Sequence, residues 1–489
     1  MESYNLVVIG AGSGGLVVAA GGSGLGARVA LAEKHALEYT HDGKLLKAMG
    51  GDCLNFGCVP SKALLRAAKA AQHAREAKHY AIKGVTDPGP QDLGAVMDYV
   101  LSCQSHIAPH DSIERFEGLG VEIFQGPGRL RSANEVEIGD KVVKGRHIVI
   151  ATGSRAMIYP IPGLEEAGYL TNESVFQCRK LPETFMIMGG GPIGTEIGQA
   201  FSRLGSKVTI VSSTPHICPK EDADVAAVLV KGLKREGVTI LDNTKATKVE
   251  LKNGKKVVTL KPKDGPETTI TVDEILVATG RRPNIENLNL EGVGVKFTNR
   301  GIETDAKCRT SVPSIWAIGD VAGGYQFTHW AGYQAKIIIR NTLFPGSAAC
   351  DYGNLPWTTF TEPEIAHVGM NEETAKEKNI PHRVFKVMFD DNDRAVCDGQ
   401  YEDYFAKVLA DPKGKILGAT IVHPHAGDLL AELVLAKKNG LPLDAIYNTI
   451  HAYPTLGECN AALGGAFMRT KLSPKTKNKL TKVYQWLRR

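Results

Sequence analysis

Residues 5–15 read NLVVIGAGSGG, a short apolar run followed by a glycine-rich turn. The run predicts a β-strand, and the Leu, Val and Ala residues after the turn predict a helix. Gly10, Gly12 and Gly15 match G-x-G-x-x-G, and a second predicted strand, 28–32, leads into Glu33, near the ~20-residue offset of a ribose-binding acid. These features predict a dinucleotide-binding unit. The alternative is a glycine-rich turn that only packs a helix.

The same arrangement recurs at residues 185–211, where the apolar run FMIM precedes Gly189, Gly191 and Gly194. Its second predicted strand, 207–211, ends in Ser212 and not in an acid. An acid at this position selects against a 2′-phosphate, so its absence leaves NADPH acceptable. We therefore expect NADPH or NADH at the second site, with a preference for NADPH.

Composition and charge narrow the class of protein. The 489 residues exceed the roughly 250 to 300 at which one core stops growing, so we expect several domains. The net charge is +5, but the last 21 residues carry eight basic side chains and no acid, leaving about −3 (5 − 8) elsewhere, which argues against nucleic-acid binding. No apolar window reaches the ~18 residues of a membrane helix and no leader pattern precedes residue 5, so we expect a cytoplasmic protein.

The cysteines are scattered except for one close pair. The segment GGDCLNFGCVPSK, residues 50–62, contains Cys53 and Cys58. Five residues of regular helix rise about 7.5 Å, beyond the ~7 Å limit for bridging two Cα atoms, so a disulfide requires a distorted segment. Gly57 permits that distortion, and Pro60 tolerates an early helical position. A helix N-terminus would favour a thiolate. Two unbridged packing cysteines are the alternative.

The longer stretch GGDCLNFGCVPSKALL, residues 50–65, resembles the redox-active segment of the flavin-dependent pyridine nucleotide–disulfide oxidoreductases. This is the family of dihydrolipoamide dehydrogenase, glutathione reductase and mercuric reductase. Its other motifs occur in the family's order, namely GAGSGG (10–15), ATGSR (151–155), GGGPIGTE (189–196), ATGRRPN (278–284) and AIGDVAGG (317–324). The resemblance covers nearly the whole chain.

The resemblance implies an α/β fold with two Rossmann-like domains, which bind FAD and NAD(P), and a C-terminal α+β dimerisation domain. The FAD-binding domain is expected at 1–157 and 285–351, the NAD(P)-binding domain at 158–284 and the dimerisation domain at 352–470. Residues 471–489 would form a basic tail. The chain is expected to act as a homodimer in which the C-terminal residues of one subunit reach the cysteines of the other.

Site residues follow from the resemblance position by position. Cys53 would exchange with substrate, Cys58 would be the thiolate against the flavin, and Lys62 and Glu196 would pair beside flavin N5. The implied catalytic residues are Cys53, Cys58, Lys62, Glu196, Tyr453 and Glu458. The residues implied for FAD are Gly10, Gly12, Gly15, Glu33, Gly51, Asp52, Lys62, Gly128, Thr152, Gly153, Ser154, Gly319, Asp320 and Thr328. Those implied for NAD(P) are Gly189, Gly191, Gly194, Ser212, Gly280 and Arg281. No protein-bound metal is implied.

The implied reaction passes hydride from the nicotinamide to FAD, electrons from FAD to the Cys53–Cys58 disulfide, and then reduces an acceptor by thiolate exchange. The expected class of acceptor depends on one difference between this chain and the family's sequence pattern. The family's disulfide reductases place a catalytic His immediately before Pro, whereas this chain reads HAYPTLGE from His451 to Glu458, with Tyr453 at the position of the base. Because Tyr titrates near 10 and His near 6.5, Tyr453 is a poor base at pH 7. His451 is expected to be a packing residue, with a substitute base as the alternative.

Tyrosine at this position resembles mercuric reductase, whose substrate is a soft metal held by thiolates. The chain lacks that enzyme's N-terminal Cys-x-x-Cys domain and C-terminal cysteine pair, and Cys459 stands alone. We expect reduction of a small disulfide or a thiol-bound metal. The alternatives are dihydrolipoamide dehydrogenase proper, a flavin diaphorase or quinone reductase that bypasses the cysteines, and a flavin-holding subunit with a vestigial dithiol.

Two further segments are unusual. Residues 35–49 are longer than the corresponding family segment and are expected to be a tolerated surface insertion, with a flap or a partner contact as the alternative. In the tail, Leu480, Val483, Tyr484 and Leu487 recur at helical spacing among lysines, which predicts a basic amphipathic helix. This helix is expected to pack on the dimer, with weak contact with an acidic membrane surface as the alternative.

Overall fold

The computed structural model describes residues 2–488, so Met1 and Arg489, the ends of the first and last predicted segments, lie outside the described residues. The chain forms two compact units. The first runs to Pro215 and includes Gly237–Cys350, and the second comprises His216–Glu236 and the chain from Asp351 onward.

In chain order, the described strands β1 to β25 are Ser3–Ile9, Val29–Glu33, Leu37–His41, Lys44–Ala48, Val121–Gln125, Gly128–Leu130, Glu135–Ile138, Lys141–Ile150, Ser154–Ala156, Thr184–Met188, Lys207–Val211, Thr239–Leu241, Thr244–Lys252, Lys255–Pro262, Thr268–Val272, Glu274–Val277, Arg281–Pro283, Phe297–Thr298, Gly301–Ile302, Ile315–Ala317, Pro356–Thr359, Glu364–Gly369, Arg383–Met388, Phe405–Ala410 and Ile416–His423. The described α-helices α1 to α15 are Ser13–Gly24, Gly51–Asn55, Cys58–Glu76, Leu93–Ile107, Ile113–Gly118, Leu164–Ala167, Pro192–Leu204, Ala223–Arg235, Thr328–Leu343, Glu372–Glu377, Asp393–Cys397, Ala426–Lys438, Leu443–Tyr447, Glu458–Lys471 and Pro474–Leu487.

The first unit contains a seven-stranded sheet in the order β5-β2-β1-β8-β7-β6, with β20 beside β8. Strands β5, β2, β1, β8 and β20 run parallel to one another, and β6 and β7 form antiparallel pairs at one edge. Residues Leu6 to Ile9 of β1 are all buried, as expected for a central parallel strand covered on both faces. The predicted strand, turn and helix at the N-terminus are confirmed.

A second parallel sheet in the same unit has the order β12-β11-β10-β16, and an antiparallel sheet has the order β13-β14-β15. The glycine-rich turn after β10 leads into α7, whose residues Gly194 to Phe201 are all buried. The second strand, turn and helix predicted from the sequence are therefore also confirmed.

The second unit contains a five-stranded antiparallel sheet in the order β21-β22-β25-β24-β23. Helices α12 and α14 contribute Leu430, Leu433, Leu463 and Phe467 to a core shared with the sheet. The predicted C-terminal α+β domain is confirmed in fold.

A buried charge cluster explains why residues 216–236 group with the second unit, although the sequence placed them in the NAD(P)-binding segment. The side chain of Lys407, on β24, is 1% exposed, and its ammonium donates to Asp222 at 2.8 Å, Asp224 at 2.9 Å and Glu372 at 2.9 Å. A buried ammonium is tolerated only when it is paired, so α8 and its N-terminal flank stay with this sheet. The exact boundaries of the predicted domains stay a prediction.

The two unusual segments both have regular structure. Residues 35–49 contain the hairpin β3–β4, which packs Tyr39 and Ala48 against Leu54 and Ala108. The tail contains α15, whose N-cap residue, Ser473, accepts a hydrogen bond from the Thr476 amide. The predicted basic helix is confirmed, whereas its contact surface stays a prediction. Each helix within residues 2–488 is too short or too polar to cross a membrane.

Candidate active site

The cysteine segment is two helices separated by a break. Helix α2 ends at Asn55, Phe56 and Gly57 leave helical geometry, and α3 begins at Cys58. The predicted distortion between Cys53 and Cys58 is confirmed, and Pro60 lies in the first turn of α3, where its missing N–H costs nothing. A side chain on Gly57 would contact the Asp52 carbonyl oxygen at 2.9 Å, so glycine lets the chain turn tightly here.

Hydrogen bonds and helix position favour a thiolate at Cys58. The Cys58 sulfur lies 3.3 Å from the Thr328 hydroxyl and also accepts a hydrogen bond from Cys53. The hydrogen bond from Cys53, then the one from Thr328 and the charge of Lys62, lower the pKa of Cys58 to about 6. The pKa of Cys53 is raised, chiefly by its bond to Cys58 and by burial. One proton is therefore shared unequally by the pair, with Cys58 as the anion.

Lys62 and Glu196 form the predicted ion pair. The Lys62 ammonium donates to the Glu196 carboxylate at 2.7 Å, and the Glu196 side chain is 7% exposed. Lys62 lies one helical turn after Cys58 on α3, which puts both side chains on one face. Glu196 comes from α7, the helix of the second glycine-rich turn. The pair therefore joins the cysteine helix to the second nucleotide-binding segment of the same unit.

The first glycine-rich turn has the geometry of a dinucleotide cradle. A side chain on Gly10 would meet the Ala151 carbonyl oxygen at 2.5 Å, and one on Gly15 would meet the Gly10 carbonyl oxygen at 1.9 Å. Gly12 faces open space at the start of α1, and no side chain within residues 2–488 caps that helix. Gly51 packs against Gly12, since a Cβ added to Gly51 would lie 2.7 Å from the Cα of Gly12. These contacts fit the pyrophosphate of FAD on the N-terminus of α1.

Glu33 ends β2 next to this turn. Its carboxylate accepts hydrogen bonds from the Ala11 amide at 2.6 Å and the His35 amide at 2.8 Å. Gly128 packs closely against Ile9 and Ala32 where β1 and β2 end. Glu33 therefore lies beside the cradle, and its role in holding a ribose stays a prediction.

A charge cluster joins four of the remaining predicted residues. Ser154 donates to Asp320 at 2.5 Å, and Arg281 donates to the Ser154 hydroxyl at 2.8 Å. Arg281 also lies 3.1 Å from Asp52 and 3.6 Å from Asp320. Burial raises the pKa of Asp320. Arg281, which the sequence assigned to NAD(P), therefore lies with three residues that the sequence assigned to FAD, and both assignments stay predictions.

Three more residues predicted to bind FAD lie in ordered turns. Thr152 donates to the Asn284 carbonyl at 2.8 Å, and Gly153 has a φ of +68° that suits glycine. The Gly319 amide donates to Gln334 at 2.8 Å, which orients the turn before Asp320. With the open N-terminus of α1, these groups fit a flavin dinucleotide.

The second glycine-rich turn repeats the first. Side chains on Gly189 and Gly194 would meet carbonyl oxygens of Ala278 and Gly189 at 2.3 and 2.0 Å, whereas Gly191 faces open space. Gly280 has a φ of +145°, and an added Cβ would meet Met157. Ser212 is buried and bonds to the Thr214 hydroxyl at 2.7 Å. The geometry fits a pyridine nucleotide.

The C-terminal site residues lie in the second unit. The Tyr453 hydroxyl donates to Asp393 at 2.8 Å, and Glu458 accepts from the Thr455 amide at 3.1 Å. Both ring nitrogens of His451 face oxygen acceptors, one on the Thr449 carbonyl and one on a glutamate carboxylate of α12. Both ring nitrogens of His451 are thus engaged within the second unit, and its expected packing role stays a prediction. Cys459 is buried, which raises its pKa to about 12.

Several contacts in the site had no signal in the sequence. Tyr39 of the hairpin donates to Asn55 at 2.6 Å, and Asn55 donates to the Met49 carbonyl at 2.9 Å, which fixes the end of α2. Asn172 donates to Asp52 at 3.1 Å. The insertion therefore supports the helix that carries the first active-site cysteine. In the sequence, only the length of segment 35–49 and its closeness to the cysteines indicated such a contact.

Comparison with known proteins identifies the family of the chain. The family model described as "Pyridine nucleotide-disulphide oxidoreductase" matches residues 4–335, and that of its dimerisation domain matches residues 355–462. The chain belongs to this family. It is an FAD-containing oxidoreductase that uses a pyridine nucleotide and acts on a sulfur group or a thiol-bound metal.

Individual relatives differ in the substrates that their names give. Dihydrolipoyl dehydrogenase of Geobacillus stearothermophilus is 35% identical over 92% of this chain and 93% of its own. Mercuric reductase of Staphylococcus aureus is 30% identical over 93% of this chain and 81% of its own. The solved structure of the HOCl-induced flavoprotein disulfide reductase RclA from Escherichia coli, in complex with Cu(II), has a TM-score of 0.82 at 25% identity and covers 95% of this chain and 99% of its own. These relatives belong to one family but act on different substrates.

Proposed function

We propose that the enzyme uses NAD(P)H to keep the Cys53–Cys58 pair reduced and that this pair reduces a small disulfide or a thiol-bound metal. The observation that carries the proposal is the hydrogen-bonded cysteine pair, with its low-pKa sulfur beside Thr328 and Lys62. A stable thiolate is the form of cysteine that exchanges with sulfur and binds soft metals.

The two cysteines have different roles in the proposed reaction. Cys53 passes its proton to the Cys58 thiolate and attacks the acceptor, which forms a mixed disulfide or a metal thiolate and releases one thiolate of the acceptor. That thiolate takes the proton from Cys58, and Cys58 then attacks the Cys53 sulfur, which releases the reduced product and restores the disulfide. When bound, FAD supplies two-electron transfer between the nicotinamide and this disulfide. Lys62, held by Glu196, places a positive charge beside Cys58 that favours its anionic form.

The choice of acceptor rests on Tyr453. Its hydroxyl donates to Asp393, and this bond raises the pKa of Tyr453. A phenol held in this way is a poor proton acceptor at neutral pH, so exchange with a dithiol lacks the base that it needs. A thiol-bound metal has less need of a proton shuttle, so we favour this class of acceptor.

Dihydrolipoamide oxidation is the second candidate. The dihydrolipoyl dehydrogenase relative is similar over nearly its whole length, and the comparisons fit this activity about equally well. The absence of a histidine at residue 453 is the feature that argues against it.

We further propose that two copies form the active dimer, with Tyr453 and Glu458 of each reaching the cysteines of the other. The match to a dimerisation domain supports this proposal. The exposed side chains of Ile450 and Tyr453 support it as well, since Ile450 is 97% exposed and Tyr453 is 71% exposed. Large apolar side chains that are exposed in this way are normally buried in a protein–protein interface. NADPH as the preferred nucleotide and the cytoplasm as the compartment are parts of the same proposal.

The test compares acceptors in the holoenzyme and in Cys53→Ser and Cys58→Ser. NADPH oxidation is followed without oxygen with Hg(II) in excess thiol, a small disulfide or benzoquinone as acceptor, and NAD⁺ reduction is followed with dihydrolipoamide. We expect both variants to lose metal and disulfide reduction and to keep quinone reduction. Metal reduction that survives in both variants would overturn the proposal, since the flavin would then bypass the cysteines.

A further inference from the structure

A second cysteine pair lies outside the site described above. The sulfur atoms of Cys308 and Cys350 are 3.5 Å apart, although 42 residues separate them in sequence. Both belong to the first unit. The Cys350 amide donates to the Ala306 carbonyl at 2.7 Å, so the backbone is tied together two residues from Cys308. The sulfur–sulfur separation exceeds a disulfide bond of ~2.05 Å by about 1.5 Å, so a bond requires the two side chains to approach by that amount.

The two thiols differ in access and in acidity. Cys308 is fully buried and has a φ of +68°, a conformation that is unfavourable for residues other than glycine. Cys350 is half-buried and is therefore the more exposed of the two. The hydrogen bond from Cys308 lowers the pKa of Cys350 and raises that of Cys308. This pattern resembles an attacking thiol with a resolving thiol behind it.

The position of the pair gives a disulfide a structural effect. The Cys308 carbonyl accepts from the Ala317 amide at 3.1 Å, on the strand that leads to Asp320. Cys350 follows α9, whose first residue, Thr328, contacts the active-site thiolate. A bond between the two cysteines would therefore close the chain segment that carries one side of the FAD site.

We propose that Cys308 and Cys350 form a second, reversible disulfide when the protein meets a small disulfide such as oxidised glutathione, and that this bond clamps the segment between them. The Cys350 thiolate attacks one sulfur of oxidised glutathione and releases one glutathione, which takes up a proton. Cys308 then loses its proton and attacks the Cys350 sulfur, which releases the second glutathione. Two protein thiols are oxidised, and one small disulfide is reduced to two thiols. This inference does not depend on the acceptor used at Cys53.

The test is a disulfide map of the full-length holoenzyme after incubation with oxidised glutathione. Free thiols are blocked in denaturant, and the chain is digested with trypsin without reduction. Lys307 and Arg309 flank Cys308, so its peptide is short and identifiable. We expect a peptide that joins Cys308 to Cys350 and disappears on treatment with dithiothreitol. Closing a long loop is also expected to raise the thermal midpoint by a few degrees.

Two variants make the result decisive. Cys350→Ser changes the half-buried partner and should abolish both the joined peptide and the thermal shift. Cys397→Ser removes an exposed cysteine elsewhere and should leave both unchanged. The proposal is overturned if glutathione stays on Cys350 without a joined peptide, if both thiols remain blockable, or if Cys350→Ser keeps the thermal shift.

Discussion

The Tyr453 hydroxyl donates a hydrogen bond of 2.8 Å to the Asp393 carboxylate. The bond stabilises the neutral phenol, because ionising Tyr453 would place two negative charges together. Asp393 lies on α11, 60 residues earlier in the chain, and no local pattern links the two residues. The residue at the position of the family's base is therefore held in its protonated form.

Replacing the tyrosine with a base should move the enzyme toward dithiols. We expect Tyr453→His to raise the rate of dihydrolipoamide oxidation at neutral pH by about 10²-fold, because a general base contributes that much or more. Tyr453→Phe is the matched control and should leave this rate unchanged. The rate is measured as NAD⁺ reduction at saturating dihydrolipoamide. A wild-type rate that already equals that of Tyr453→His would contradict the argument about the base.

The Thr328 hydroxyl should help to set the acidity of Cys58. Thr328→Val removes a contact of 3.3 Å to the sulfur, so we expect the pKa of Cys58 to rise from about 6 by roughly one pH unit. The pH dependence of alkylation by iodoacetamide in the reduced enzyme measures this change. Thr342→Val, on the same helix, is the control, since its hydroxyl donates to the Ile338 carbonyl within α9. An unchanged alkylation profile in Thr328→Val would refute the role of the hydroxyl.

The lowered pKa of Cys58 also determines how its contribution to the stability of the fold changes with pH. The pKa of Cys58 is lower in the folded chain than its ordinary value of 9.0, so the unfolded chain binds more protons between about pH 6 and 9. The contribution of Cys58 to stability is complete above pH 9 and is lost as the pH falls through 6.

The Lys62–Glu196 pair should show energetic coupling. We expect Lys62→Met and Glu196→Gln each to destabilise the fold, and the double variant to lose less than the sum of the two. The coupling should be about 1 to 3 kcal/mol, because the carboxylate is almost fully buried. Denaturant unfolding of the four proteins completes the cycle. Additive losses would mean that the 2.7 Å contact contributes no stability of its own.

Glu221 should make the second unit less stable at high pH. Burial raises its pKa to about 7. Within residues 2–488, one of its carboxylate oxygens has no hydrogen-bond partner, while Trp357 donates to the other at 2.7 Å. The folded chain therefore keeps a proton that the unfolded chain loses near 4.5, so stability falls as the pH rises from about 4.5 to 7.

Glu221→Gln removes this ionisation while retaining an oxygen acceptor for Trp357. We expect it to be more stable than wild type by up to about 3 kcal/mol above pH 7, and nearly equal to wild type near pH 4.5. Unfolding of the second unit across this pH range is the measurement, with Glu402→Gln on an exposed glutamate as control. A constant difference at every pH would exclude Glu221 as the titrating group.

Local sequence patterns predicted the parts of the site that depend on backbone geometry. The spacing of Gly10 and Gly15 indicates a close approach of strand and helix, and Gly57 indicates the break between the two cysteines. The resemblance to the family supplied the pairing of Lys62 with Glu196, which lies 134 residues away.

Contacts made by side chains from distant segments were not predictable in this way. Lys407 stands in the apolar run FAKVLA, and nothing in that run indicates that two aspartates of the α8 segment neutralise it. Arg281 follows a turn typical of a nucleotide site, and nothing in that turn indicates that its guanidinium pairs with Asp52. Tyr39 and Asn55 meet only because the hairpin folds over α2. Each depends on tertiary structure that local periodicity does not encode.

The central claim, that electrons reach the acceptor through Cys53 and Cys58, is tested most directly by anaerobic titration of the holoenzyme with NADPH and, separately, with NADH. Absorbance is followed through the main flavin band and at longer wavelengths, in wild type and in Cys58→Ser. We predict a long-wavelength thiolate-to-flavin band after two electrons in wild type and none in the variant. Bleaching of the flavin without that band in wild type would contradict the account and would favour a diaphorase that bypasses the cysteines.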